Sequence, residues 1–159
     1  MKGHMIATVV WLGLIGAGYA AFEYLGQQRE AVQGCDGGAA PAEIVVPASR
    51  DGHFYLDGAV NGAPVRFLVD TGASYVTINS ADAGAAGVTG GAPAMFETAA
   101  GRIEGRIVRS QRVSAACLSV GDLAVAVNPD LGDVALLGQN FLRQFEVLQT
   151  RQELRLRAR

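Results

Sequence analysis

Val65-Arg66-Phe67-Leu68-Val69-Asp70-Thr71-Gly72-Ala73-Ser74 is the stretch that decides the fold. It opens as a strand, apolar but for Arg66, and ends on an acid with a glycine two residues later. A carboxylate set against apolar neighbours costs free energy unless hydrogen bonds or charge compensate it. Gly72 permits a tight turn and brings a backbone N–H toward that carboxylate. A second apolar element closing on glycine, Leu136-Leu137-Gly138, follows downstream.

Outward from this pair the pattern is short strands between turns. Residues 53–60 and 65–69 read as the arms of a hairpin joined at Asn61-Gly62, a dipeptide suited to a tight β-turn. Residues 75–78 form the next strand, and Ser80 is placed to cap a short helix over 81–86 that Gly87 ends. Strands over 95–98 and 103–108 flank Ala99-Ala100-Gly101. Strands over 113–120 and 123–127 enclose a turn at Gly121-Asp122. One helical turn over 139–143 and strands over 145–148 and 153–157 complete the domain. Many short strands with regular turns predict an all-β fold with a short helix, a small β-barrel or sandwich.

The chain has 159 residues, half of them apolar, with 21 glycines and a net charge of −2. That length suits one domain plus extras. The near balance of charge leaves no basic stripe for nucleic acid. Cys35 and Cys117 lack metal-ligand spacing, and His4 and His53 stand far apart, so neither a metal nor a cofactor is expected. A Cys35–Cys117 bridge and two free thiols both fit these positions.

Three segments follow from composition. Residues 1–25 read as an N-terminal transmembrane anchor or signal segment, 26–48 as a flexible linker and 49–159 as the folded domain. Residues 5–22 carry no charge and suit the thickness of a bilayer. Lys2 before them and Glu23 after them orient the amino end toward the cytoplasm. Gly18-Tyr19-Ala20 also fits a cleavage site, but the span length favours an uncleaved anchor. Gly13, Ala17 and Ala21 recur at a spacing that lets two membrane helices approach.

The acid at the strand end suggests a chemistry. Two carboxyl groups about 3 Å apart cannot both ionise, so they share one proton. The ionised group then takes a proton from a water attacking a carbonyl carbon, while the protonated group donates to the carbonyl oxygen. This chain offers one such acid, Asp70, so a second copy must bring the other. The Thr71 hydroxyl is placed to bond the opposite chain, and Ser74 to donate to Asp70. Other candidates are weaker. There is no Gly-x-Ser-x-Gly elbow, Cys117 has no histidine near it in sequence, and Asp57, Asp82, Asp122, Asp130 and Asp133 read as turn or loop acids. Arg102, Arg106 and Arg109 read as a solvated face.

Residues 67–74, with Ala135-Leu136-Leu137-Gly138-Gln139-Asn140-Phe141-Leu142, resemble the retropepsin-type aspartic proteases, in particular their bacterial single-domain, membrane-anchored members. The resemblance spans about residues 53–156. It implies a small closed acid-protease-type β-barrel, one half of a homodimer that hydrolyses peptide bonds, with Asp70 catalytic and Thr71, Gly72, Ser74, Leu137 and Gly138 supporting it. It also implies a flap over residues 96–103, with Thr98, Ala99, Ala100 and Gly101 at its tip. Ala100 departs from the asparagine usual before that glycine, and Thr150-Arg151-Gln152 occupies a turn where the family often has glycine. The implied partners are a second copy, an extended peptide or protein substrate, and the membrane through the N-terminal helix. The implied location is the bacterial inner membrane, single-pass, with the protease domain periplasmic. A catalytically silent peptide-binding or scaffolding module on the same barrel is the alternative.

Overall fold

Asn61 and Gly62 both take positive φ, 49° and 88°, which is the geometry a two-residue hairpin needs. They join β3 (Tyr55–Val60) to β4 (Ala63–Val69), with Val60 opposite Ala63 and Tyr55 opposite Leu68. The computed structural model describes residues 11, 13, 15–19, 33–34, 43–98 and 101–159. The chain divides into two units, Met1–Ala31 and Val32–Arg159.

In the second unit, β4 pairs in parallel with β9 (Ala135–Leu137), which touches β5 (Val76–Ile78) through Thr77 and Leu136. β5 then pairs in parallel with β8 (Leu118–Val127), and β8 with β7 (Gly101–Ala115). β7 returns to β3 through Gly58–Ala115, Ala59–Ser114 and Val60–Val113. The ring β3-β4-β9-β5-β8-β7 is therefore a closed six-stranded barrel, and closure removes the unpaired edges an open sheet would carry. β6 (Ala92–Thr98) extends β7 beyond the ring as a hairpin arm. A separate antiparallel sheet orders β1 (Gln33–Gly34), β2 (Glu43–Pro47), β11 (Glu153–Ala158) and β10 (Phe145–Gln149).

The core is set by alternation. Phe67, Val76, Ile78, Val125, Leu137 and Phe141 are fully shielded from solvent. Phe67 packs so closely on Gly58 that a Cβ there would lie 2.9 Å from its ring. In the outer sheet Ile44, Val46, Leu154 and Leu156 bury one face of β2 and β11. The expected alternation of the last strand is what supplies half of that face.

Two local expectations are corrected. Gly121-Asp122 is not a turn: β8 runs through it as a bulge, the two residues lying between the Gln111–Leu123 and Val113–Val120 pairs with Asp122 at φ 54°, next to a second bulge in β7 where Ser110 takes φ 61°. The turn lies at Ala116 and Cys117, where Ala116 takes φ 49° and its N–H donates to Asp57 O. The helix α1 (Ser80–Ala85) is capped by Asn79, whose Oδ1 accepts from Asp82 N at 2.8 Å. Ser80 is instead its first residue.

In the first unit, Trp11, Gly13 and residues 15–19 are helical. No helix of the described residues is long and apolar enough to cross a membrane. Most of the expected anchor, including Ala21, lies outside the described residues, as does Cys35. Cys117 is disulfide-bonded.

Candidate active site

Asp70 stands where β4 runs out, half-buried, and its N–H donates to Leu137 O on β9 at 3.2 Å. The chain then turns back on itself, with Ala73 N donating to Asp70 O at 3.3 Å. Gly72 N donates to Asp70 Oδ1 at 2.8 Å, the expected backbone bond to the carboxylate. A Cβ on Gly72 would sit 3.1 Å from that same oxygen, so glycine leaves the bond uncrowded.

Gly138 makes the crossing of β9 beneath this loop sterically feasible. A Cβ there would lie 2.2 Å from Tyr75 O and 2.8 Å from Ala73 O, closer than any real side chain tolerates. Immediately after it, the short helix α2 (Gln139–Leu142) points backbone donors at the loop. Gln139 N donates to Ala73 O at 2.8 Å and Asn140 N to Ser74 O at 3.2 Å.

The side chains of these two residues complete the support. Asn140 Oδ1 accepts from Val76 N at 2.8 Å and Nδ2 donates to Ala124 O at 2.6 Å, tying β5 to β8. Gln139 Nε2 donates to Thr71 O at 3.1 Å. Neither side chain was assigned a role from the sequence, where both appear only as part of a helical turn. Two amide residues directly after the Leu-Leu-Gly element were the available signal. Ser74 acts differently from expectation. Among the described residues its hydroxyl makes no bond to Asp70; it contributes its carbonyl to Asn140 instead.

Thr71 and Gly72 are exposed at the tip of the loop. A cavity of about 590 Å³ opens beside Thr71, between Gln139, Leu142, Phe145 and Val147. The β6–β7 hairpin pairs Thr98 with Gly101, so its connection is two residues long, Ala99 and Ala100, which lie outside the described residues. Thr98 Oγ1 donates to Gly101 O at 2.9 Å, and Gly101 takes φ 119°. Below the tip, Arg102 and Glu97 form an exposed ion pair at 2.9 Å, and Phe96 stacks over Gly105, which has no room for a Cβ. Arg106 does not join a solvated face: it is half-buried and donates to Val88 O at 3.0 Å.

Asp82 is in the first turn of α1 rather than in a loop, with Oδ2 buried and without a hydrogen-bond partner. Burial raises its carboxyl above the ordinary range, and the charge of Asp133 adds to the effect. No cluster of three metal-ligating side chains occurs among the described residues.

Residues 56–144 match the family model described as "gag-polyprotein putative aspartyl protease". An uncharacterized protein in the cobV 5' region of Sinorhizobium sp. is 36% identical over 124 residues, which cover 72% of this chain and 52% of that protein. The uncharacterized protein RP867 of Rickettsia prowazekii (strain Madrid E) is 46% identical over 41 residues, 26% of this chain and 18% of that protein. The matches thus span about half, or less, of the length of these relatives. The crystal structure of a retropepsin-like aspartic protease from Rickettsia conorii superposes with a TM-score of 0.61 at 23% identity, covering 80% of this chain and 94% of that one.

Proposed function

Because the chain belongs to the gag-polyprotein aspartyl protease family, of retropepsin type, we propose that it is a homodimeric endopeptidase whose two Asp70 carboxyls, one per copy, activate a single water. The carrying observation is the loop itself. Asp70 is half-buried at a strand end, held by Leu137 O at its backbone and by Gly72 N at its carboxylate. Such a fixed carboxylate is useful for acid–base work, yet one copy brings only one.

In the proposed reaction, the two acids share a proton across the twofold axis. The ionised one removes a proton from water as it attacks the peptide carbonyl carbon. The protonated one donates to the carbonyl oxygen, and the pair then protonates the leaving nitrogen. In the proposed dimer Thr71, exposed in the single chain, meets its counterpart and its hydroxyl bonds across the axis. The β6–β7 hairpin acts as the flap, closing over an extended peptide and excluding water. Apolar side chains flanking the scissile bond suit the Val, Ile, Leu and Ala content of the domain.

We place this domain outside the cytoplasm, tethered by the uncharged segment over residues 5–22 to a bacterial inner membrane. Two features support that placement: the length and apolarity of the segment, and a disulfide at Cys117, which suits an oxidising compartment.

The test is to incubate the full chain with a mixed peptide pool from acidic to neutral pH, with and without a pepstatin-like inhibitor. New peptide ends that the inhibitor suppresses are expected. Binding of peptides with no new ends at any pH contradicts the proposal and favours a silent peptide-binding module.

A further inference from the structure

Granted the Asp70 dyad proposed above, we infer that Gln139 is a positioning residue that clamps the catalytic loop through two of its carbonyls. Its side-chain amide holds Thr71 O at 3.1 Å, and its backbone N–H holds Ala73 O at 2.8 Å. The two contacts straddle Gly72, whose N–H is the donor to Asp70 Oδ1. One residue therefore grips the loop on both sides of the amide that orients the carboxylate.

The carbonyls of the loop show why this side chain matters. Asp70 O is held by Ala73 N, Ala73 O by Gln139 N, and Ser74 O by Asn140 N. Those donors are backbone groups that almost any residue supplies. Thr71 O is held by a side chain, so its partner depends on the residue at position 139. Thr71 is exposed and Gln139 half-buried, beside the cavity that opens there. Losing that donor loosens the loop at one carbonyl, while the backbone donors to Asp70 O, Ala73 O and Ser74 O stay in place. A catalytic carboxylate is sensitive to that loosening, because displacements near 1 Å can cost about a hundredfold in rate.

Thr71 O only accepts, so residue 139 must donate. A glutamate at 139 can donate when protonated and repels the carbonyl when ionised, which turns the clamp into one set by pH. Gln139→Ala removes the donor at every pH.

The experiment measures kcat and KM against pH for the full-length wild type, Gln139→Ala and Gln139→Glu. Amide-exchange protection of Gly72 and Ala73, corrected for intrinsic rates, is measured on the same samples. Gln139→Ala is expected to lower kcat about tenfold or more, with KM within about twofold, and to lower protection by a similar factor. Gln139→Glu is expected to match wild type in both readouts below about pH 4 and to fall to the alanine level above about pH 5. Wild-type kcat and protection in Gln139→Ala would overturn the inference, as would a glutamate variant that tracks alanine at every pH. If the wild type cleaves nothing but protection follows residue 139 as stated, the dyad fails and the clamp stands. If the wild type cleaves and both variants equal it, the clamp fails and the dyad stands.

Discussion

The backbone N–H of Asp70 donates to the carbonyl of Leu137 at 3.2 Å. The acid at the end of β4 is thus held by a strand from the far end of the domain, threaded between β4 and β5. Three-residue β9 is a poor strand alone; it persists because Ala135 and Leu137 are fully buried and both of its edges are paired. The site and the barrel core are one construction, and the predictions below exploit that.

Gly138→Ala should be severely destabilising. Its Cβ would strike the Tyr75 and Ala73 carbonyls, both backbone atoms that cannot swing aside. A loss of about 3 kcal/mol or more is expected, at the high end for single substitutions. Urea denaturation of the purified variant measures it, and wild-type stability would show that β9 does not pass as described.

Asn140→Ala should damage the fold rather than chemistry alone. It leaves Val76 N and Ala124 O without their partners between β5 and β8. The expected cost is about 2–3 kcal/mol by denaturant titration, from two partly buried groups left unpaired. An equally large loss in Gln139→Ala would erase the contrast between these neighbours, since the Gln139 side chain holds one backbone group and that of Asn140 holds two part-buried ones.

Asp82→Asn should stabilise the domain at neutral pH and not at strongly acidic pH. Burial, then Asp133, raises the Asp82 carboxyl above 3.8 in the folded state. The ionised form is therefore penalised on folding, and the penalty is present above the folded pKa and lost as pH falls through it. Removing the charge lifts the thermal midpoint near pH 7 by roughly 1–3 °C, the partial exposure of the group keeping the effect small. A midpoint unchanged near pH 7, or raised equally at pH 3, would contradict this.

Asp70→Asn should fold normally and lose peptide cleavage by about 10²–10⁴-fold, the range for removing an acid–base group. The asparagine carbonyl can still accept from Gly72 N, so the loop keeps its form. Matched circular dichroism with retained cleavage would remove Asp70 from the chemistry.

Much of this architecture was legible in the sequence because its signals are local. Asn61-Gly62 accepts the positive φ of a tight hairpin, and the two apolar runs closing on glycine locate β4, β9 and the loop between them. The β7–β8 turn was misplaced because Ala116, an alanine in the left-handed region, carries it. Gly121-Asp122 has turn composition but forms a bulge in β8, where the extra twist and not a reversal uses the positive φ of Asp122. The supports contributed by Gln139 and Asn140 are hidden for another reason: the two amides after Leu-Leu-Gly mark a polar pair, but their partners are remote in sequence and the local pattern does not name them.

The central claim is that each active site takes one Asp70 from each of two chains. Mixing wild type with Asp70→Asn at constant total protein, after subunit exchange, tests it most directly. A shared dyad predicts that activity follows the square of the wild-type fraction, so an equal mixture keeps about one quarter of the rate. An equal mixture that keeps half, with activity linear in the wild-type fraction, would show that each chain works alone.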